Sequence, residues 1–408
     1  MDVTLVIFLL TYAALAIGRI PGFRVDRTGA VLLGAIALIV GGRIGLAEAW
    51  RAVDVGAIAL LFGLMVVSAT FVLSGFYDWA AARIASLKVA PKTLLAVFIA
   101  VSAAFSSVLT NDVVVVAMTP LLLQVTLARG LNPLPYLLGF CFAANAGSAG
   151  TLIGSPQNMM VGAGLDLSFL TFLRVAAVPA LFSLPIIWGI LVLLYRGRWT
   201  RPDEHAAGPP APAVKLDRGE TLKAAAVTLT VVAIFAFTSW SHAVVALAAA
   251  GVLLLNRKIA SADMLEHVDG DLLLLLFGLF VINAALAQTG IPAAAIRELA
   301  AAGLDLHEPR PLLLVSALLS NLVGNNPAVI LMLPYVGRAH PELAGAAMAL
   351  GTGFASNLII FSSLAGIIVV EVARRSGIEI SFREFSRAGA LVCLTCLAMA
   401  MGWLYLLA

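Results

Sequence analysis

Of the 408 residues of this chain, 62% are hydrophobic and 12% are charged, whereas a soluble domain has about 45–50% apolar and about 25% charged residues. This composition excludes a water-soluble protein, and a formal net charge of +3 gives no sign of nucleic-acid binding. Apolar runs long enough to cross a bilayer recur up to the last residues, so a single anchor on a soluble domain is also excluded.

The first predicted element is an apolar run at 3–17, which we interpret as a retained transmembrane helix because it has no basic start and no small-residue cleavage site. Further spanning runs include 57–73 and 388–407. The pattern predicts an all-α polytopic membrane protein with about ten transmembrane helices and two re-entrant hairpins, at 94–127 and 311–337. If the Arg- and Lys-rich connections are cytoplasmic, both termini lie outside.

The first hairpin turns at Thr110, Asn111 and Asp112, between two apolar arms. Asp112 is the only acidic residue that the sequence places deep in the membrane. A lone carboxylate there favours a site for a coupling proton or sodium ion, because burial favours its neutral form or a bound cation. It could instead cap the following helix through backbone N–H groups. The two roles can coexist, and we favour the coupling role.

Small and polar residues interrupt the next apolar run at 143–158, which predicts an unwound helix. Close helix packing would explain its glycines equally well. For its polar side chains we favour contact with a ligand or an ion. The candidates are Asn145, Gly147, Ser148, Thr151, Ser155, Gln157 and Asn158.

A polar, Pro- and Gly-rich run at 196–221 is predicted to be a cytoplasmic linker between the halves 1–195 and 222–408. Residues 53–75 align without a gap to 268–290 and are identical at nearly half of the positions, which indicates an internal duplication.

The duplication extends into the hairpins, because 101–120 aligns to 315–334 at almost the same offset. With five spans in each half, an odd number, the second repeat must lie inverted relative to the first. Inverted repeats are the architecture of secondary transporters, whose binding site lies at the repeat interface near mid-membrane.

The second hairpin turns at Gly324, Asn325 and Asn326, where Asn325 aligns with Asn111 and an amide replaces the carboxylate of Asp112. The helix that starts at each tip would direct free N–H groups towards it, which favours an anion or an oxygen-rich solute. The second interrupted run adds the candidates Ser356, Asn357, Ser362 and Ser363.

Signatures of hydrolysis and of ATP use are missing from the sequence. The five histidines lie in connections, and neither HExxH nor a P-loop occurs. An intramembrane enzyme using Asp112 or Ser155 would need a second catalytic group at membrane depth, and none is visible in the sequence.

The CxxC of Cys393 and Cys396 lies in an apolar helix, which favours packing over metal binding. We therefore predict no catalytic residue, no resident metal and no cofactor, with sodium or a proton as the candidate coupling ion.

Three runs resemble the ion transporter superfamily, and most of all its arsenite permease group and neighbouring anion permeases. They are LTNDVVVVAMTP (109–120), ANAGSAGTLIGSPQNMMVG (144–162) and SNLIIFSSLAGIIVVEVARRSGIEIS (356–381). Divalent-anion/sodium symporters and D-type sodium/proton antiporters are more distant branches. Ser155 stands where the arsenite permease pattern has an Asp, and Ile359–Ser362 replaces a Thr-Pro-Ile-Gly run.

The resemblance implies a homodimer in a cytoplasmic membrane of bacterial type. In each subunit, the hairpins and unwound helices would move past a fixed scaffold in an elevator-like cycle. The implied function is ion-coupled transport of a small anion or oxyacid, such as arsenite, an inorganic anion or a carboxylate. The alternatives are a sodium/proton antiporter with Asp112 as the ion ligand, or a passive channel.

Overall fold

The computed structural model describes residues 2–18, 20, 22–200 and 215–407. Within these residues the regular secondary structure is helical, and an isolated bridge pairs Leu131 with Thr200. Seven of the described helices are long and apolar enough to cross a membrane, and four more are apolar but shorter. The predicted all-α, multi-pass fold is therefore confirmed. Most of the predicted linker, 201–214, lies outside the described residues.

The described part of the first half contains ten helices. They are α1 (Val3–Ile17), α2 (Arg27–Val40), α3 (Leu46–Ala52), α4 (Val55–Leu73), α5 (Phe76–Ala85), α6 (Pro91–Val108), α7 (Asn111–Ala128), α8 (Leu134–Ser148), α9 (Pro156–Gly164) and α10 (Phe169–Leu194).

The described part of the second half repeats this order, with short 3₁₀ turns at Leu333–Tyr335 and Ile360–Ser362. Its helices are α11 (Arg218–Phe237), α12 (His242–Leu254), α13 (Ser261–Glu266), α14 (Gly270–Gln288), α15 (Ile291–Ala301), α16 (Pro309–Val323), α17 (Asn325–Met332), α18 (Pro341–Ala355), α19 (Leu364–Arg375) and α20 (Phe382–Leu407).

Aligned residues begin equivalent helices in the two halves. Asp54 caps α4 by accepting a hydrogen bond from the N–H of Ala57, and Asp269 caps α14 in the same way through Leu272, both at 2.9 Å. The hairpins begin a few residues earlier than predicted because Pro91 and Pro309 occupy the first helical turn, where the missing N–H of proline costs nothing.

Aligned glycines bring the long helices of the two halves together. A Cβ on Gly63 of α4 would lie 2.5 Å from the backbone of Ala246 in α12, and one on Gly278 of α14 would lie 2.6 Å from Val31 in α2. Only glycine permits these close crossings. The first crossing joins α4 to α12 and the second joins α14 to α2. A contact between α14 and α4 completes one group, the long-helix group, which α1 and α11 flank.

The hairpins and interrupted helices form a second group. Helix α6 packs along α8, and α16 packs along α18. The second arm of each hairpin also contacts the other half, since α7 packs on α19 and α17 on α9. These contacts bring both hairpin tips, after Leu109 and at Gly324, beside the two interruptions. The first interruption, 149–155, separates α8 from α9, and the second, 356–363, separates α18 from α19.

Candidate binding site between the hairpin tips

A cavity of about 320 Å³ lies where the two hairpin tips meet the interrupted helices. Its volume suits a small solute. Eight of the predicted site residues line it: Asn111, Asp112, Gln157, Gly324, Asn325, Asn326, Ser362 and Ser363. The other nine lie outside its lining, and most of them fix the backbone that forms the cavity.

Two hydrogen bonds tie the first tip to the first interruption. The N–H of Asn111, the first residue of α7, donates to the carbonyl oxygen of Gly154 at 3.0 Å. The hydroxyl of Thr151 donates to the carbonyl oxygen of Ser107 at 2.6 Å. The tip and the interruption therefore form one unit.

A buried serine of α4 supports the same tip. Ser68 of α4 is buried, and its hydroxyl oxygen accepts a hydrogen bond of 3.3 Å from the hydroxyl of Thr110. Thr110 therefore contacts the long-helix group rather than the cavity.

The first interruption has its own internal support. The side-chain amide of Asn158 donates to the carbonyl oxygens of Ser148 at 2.9 Å and Thr151 at 2.8 Å. The first of these carbonyl groups belongs to the last residue of α8 and the second to the interruption, so Asn158 holds the interruption against the end of the helix. The hydroxyl of Ser148 donates to the carbonyl oxygen of Asn145 at 3.0 Å.

The two interrupted helices are joined across the repeat. The side-chain amide of Asn145 donates to the side-chain oxygen of Asn357 at 3.0 Å and to the hydroxyl of Ser363 at 3.4 Å. Asn357 in turn donates to the carbonyl oxygen of Phe142 at 3.4 Å. Asn145 and Asn357 were each predicted to contact a ligand or an ion. In the structure their side chains contact each other.

The second tip depends on a glycine and an asparagine. Gly324 has φ = +94°, a conformation that other residues rarely adopt. Asn325 accepts from the hydroxyl of Ser320 and donates to that of Ser356 at 2.9 Å. Ser362 donates to the carbonyl oxygen of Ser356 at 3.1 Å. The second tip is thus tied to the second interruption, as the first tip is to the first.

Several buried side-chain oxygens on predicted site residues have no hydrogen-bond partner within the described part of the chain. An unpartnered buried polar atom is uncommon, and a ligand, ion or water can satisfy it. Three of the four belong to the first half. They are Asn111 Oδ1, Ser155 Oγ, Asn158 Oδ1 and, in the second half, Asn326 Oδ1.

Gly147 has a packing role. A Cβ at this position would lie 2.5 Å from the Cα of Ala103, so the glycine lets α8 approach α6. Gly147 lies outside the cavity lining, which fits the helix-packing explanation considered for it from the sequence.

One side of the cavity, which was not predicted from the sequence, is formed by the starts of α2 and α14. Its lining residues are Asp26, Arg27, Thr28, Asp269 and Asp271. Arg27 also donates to the carbonyl oxygen of Phe361 at 3.4 Å, in the second interruption. Asp112 is therefore not the only carboxylate at this depth of the fold. A sequence signal existed, because the aligned block at 268–290 opens with two aspartates where 53–75 has one.

The charges of the lining are unequal. Four acidic residues line the cavity, Asp26, Asp112, Asp269 and Asp271, against the single basic residue Arg27. Among the described residues, however, no three His, Cys, Asp or Glu side chains are grouped closely enough to hold a metal ion. The site is acidic without forming a compact metal centre.

Sequence comparison relates this chain to known proteins that are described as transporters. A family model described as a citrate transporter matches residues 12–366. An uncharacterized transporter of Mycobacterium tuberculosis is 31% identical over 99% of this chain and 98% of its own length. The silicon efflux transporter LSI3 of Oryza sativa is 27% identical over 88% and 87%. A putative transporter arsB of Dictyostelium discoideum is 28% identical over 42% of this chain and 30% of its own length.

One solved structure shares the overall fold. The YdaH transporter of Alcanivorax borkumensis covers 99% of this chain with a TM-score of 0.55 and 17% sequence identity, over 95% of its own length.

Proposed function

This chain belongs to the citrate transporter family of the ion transporter superfamily, and from that premise we propose that it is an ion-coupled secondary transporter of a small anion or oxyacid. The observation that carries the proposal is that both hairpin tips and both interruptions meet at one cavity. A site built jointly by two repeats is what alternating access between them requires.

The lining favours an oxygen-rich cargo. Side-chain amides of Asn111, Gln157, Asn325 and Asn326 and the guanidinium of Arg27 can donate hydrogen bonds to its oxygens. Four carboxylates would repel a free polyanion. The cargo therefore enters either as a neutral oxyacid or as a carboxylate accompanied by protons or a cation. Citrate, named for the family, silicon, named for LSI3, and arsenite, implied by the sequence resemblance, are the first classes to test.

We assign the coupling role to Asp112. It lines the cavity at the start of α7 and shares the lining with Asp269, so an added proton or sodium ion would relieve the repulsion between them. The same pair favours the second candidate function, a sodium/proton antiporter in which the ion at Asp112 is itself the cargo.

The packing suggests which parts move. Both hairpins and both interrupted helices would travel together past the group formed by α1, α2, α4, α11, α12 and α14, in an elevator-like cycle within a homodimer. The cavity is lined by the starts of α2 and α14, and the segments that precede these helices in the chain contain the basic residues Arg24 and Lys258. If these are cytoplasmic, in a bacterial-type membrane, the cavity faces inward.

A thermal-shift screen tests the proposed site. The purified chain is heated with citrate, arsenite, silicic acid or sulfate, each with and without sodium, because a ligand that binds the folded state raises the melting temperature. We expect at least one solute to stabilise the wild type and to stabilise Asn326→Ala less. A solute that stabilises both equally binds elsewhere, and that result would count against this cavity.

A further inference from the structure

A second cavity, which the proposed transport cycle does not use, lies between the end of α10 and the start of α20. Its volume is about 170 Å³, and its lining includes Tyr195, Arg198, Arg383, Glu384 and Arg387. Both helices are 26 residues long, which is enough to cross a bilayer completely.

Tyr195 gives this cavity a fixed base. Its side chain is buried, and its hydroxyl donates a hydrogen bond of 2.7 Å to Glu384. The guanidinium of Arg198 lies 4.8 Å from the centre of the Tyr195 ring, and 3.8 Å separates it from the Glu384 carboxylate. The two helix ends are thus connected before any ligand binds.

The cavity has an excess of positive charge. Arg383 and Arg387 are four residues apart on α20 and therefore lie on the same face. Both are exposed, and neither side chain forms a hydrogen bond or an ion pair with another described residue. Three guanidinium groups, with that of Arg198, face one carboxylate. Guanidinium groups match the geometry of phosphate oxygens.

Apolar side chains continue from the cavity along the outside of both helices. Leu193 is 74% exposed, Phe382 51% and Leu394 64%. Side chains of this kind at the surface of a membrane-spanning helix face acyl chains. A ligand that carries a phosphate at one end and hydrocarbon at the other fits both surfaces.

We propose that this cavity binds the phosphate of an anionic phospholipid headgroup, whose acyl chains lie along α10 and α20. Basic pockets at the ends of transmembrane helices are suited to such headgroups. The bound lipid would join the last helices of the two halves at the end of the bundle where the basic connections gather.

The test measures the melting temperature of the full chain in phospholipid-free detergent with phosphatidylglycerol, phosphatidylcholine or inorganic phosphate added. Phosphatidylglycerol should raise it most. The variant Arg383→Gln/Arg387→Gln should need about 25-fold more phosphatidylglycerol for the same shift, from roughly fivefold per basic residue. Arg174→Gln removes one charge at the opposite end of α10 and is the matched control, which should respond like the wild type.

An unchanged shift in the double variant would overturn the proposal, as would an equal shift with phosphatidylcholine. An equal shift with inorganic phosphate would show a site for a soluble anion and would overturn the lipid assignment. If the double variant cannot be purified, Arg387→Gln and Arg387→Lys are compared instead. The lysine variant should keep more of the phosphatidylglycerol shift than the glutamine variant, and equal loss in the two would contradict the role of charge.

Discussion

The side-chain amide of Asn145 donates a hydrogen bond of 3.0 Å to the side-chain oxygen of Asn357. Asn145 lies in the last turn of α8, and Asn357 lies in the interruption between α18 and α19. Both side chains are buried. This bond and those from Asn145 to Ser363 and from Asn357 to the carbonyl oxygen of Phe142 connect the interrupted helices of the two halves, next to the cavity-lining Ser363.

Removing either partner should destabilise the fold, because a buried amide would lose its partner. We expect Asn145→Ala and Asn357→Ala each to lower the melting temperature, and their coupling energy in a double-mutant cycle to be about 1 kcal/mol. Unfolding in detergent of the two single variants and the double variant measures this. Strict additivity would show that the contact contributes nothing of its own.

The adjacent asparagines of the second tip should respond differently to substitution. Asn325 is bonded to Ser320 and Ser356, so Asn325→Ala should lower both the melting temperature and the affinity for cargo. Asn326 Oδ1 has no partner among the described residues, so Asn326→Ala should raise KM with little change in melting temperature. Uptake kinetics and thermal unfolding together distinguish them. Equal loss of stability in the two variants would contradict the division of roles.

The close approach of α8 and α6 makes Gly147 sensitive to one added methyl group. A Cβ there would lie 2.5 Å from backbone, so Gly147→Ala should cost about 1–3 kcal/mol of stability. Gly189 of α10 is the matched control, because nothing lies within 4 Å of its added Cβ. Gly189→Ala should be neutral or slightly stabilising. Similar melting temperatures for the two variants would contradict the packing role.

The ion pair between Lys258 and Asp217, a residue of the predicted linker at 196–221, should make a small, pH-dependent contribution to stability. The hydrogen bond from Lys258, at 2.7 Å, holds the pKa of Asp217 below its usual value. Because the folded-state pKa is the lower one, the stabilisation is present above the unfolded-state pKa and is lost as the pH falls through the folded-state pKa. The melting temperature of Lys258→Gln should therefore fall slightly below that of the wild type at pH 7, with the difference shrinking in acid. A difference that stays constant down to pH 3 would argue against this pairing.

Much of the fold could be predicted because the membrane leaves few alternatives. Long apolar runs must be helical, and the aligned positions of Asp54 with Asp269 and Gly63 with Gly278 already indicated equivalent helices. Element bounds were less accurate, since helix starts depended on single prolines such as Pro91.

The site could be predicted only in part. Asn111, Asp112, Asn325 and Asn326 were recognisable because polar side chains within apolar arms are costly unless they have a use. Arg27 was not predicted as a site residue, because a charged residue at the start of a helix cannot be distinguished in the sequence from one in a connecting loop. Only the packing of α2 and α14 against the tips shows that these helix starts face the cavity.

The most direct test of ion coupling at Asp112 measures solute flux driven by a proton or sodium gradient. Proteoliposomes containing the chain are given the solute that stabilises it, under an imposed proton or sodium gradient. We expect the wild type and the control Asp263→Asn, an exposed residue of α13, to accumulate solute above equilibrium. Asp112→Asn should only equilibrate it. Accumulation by Asp112→Asn at the wild-type level, or flux in the wild type that ignores both gradients, would contradict ion coupling at the first hairpin.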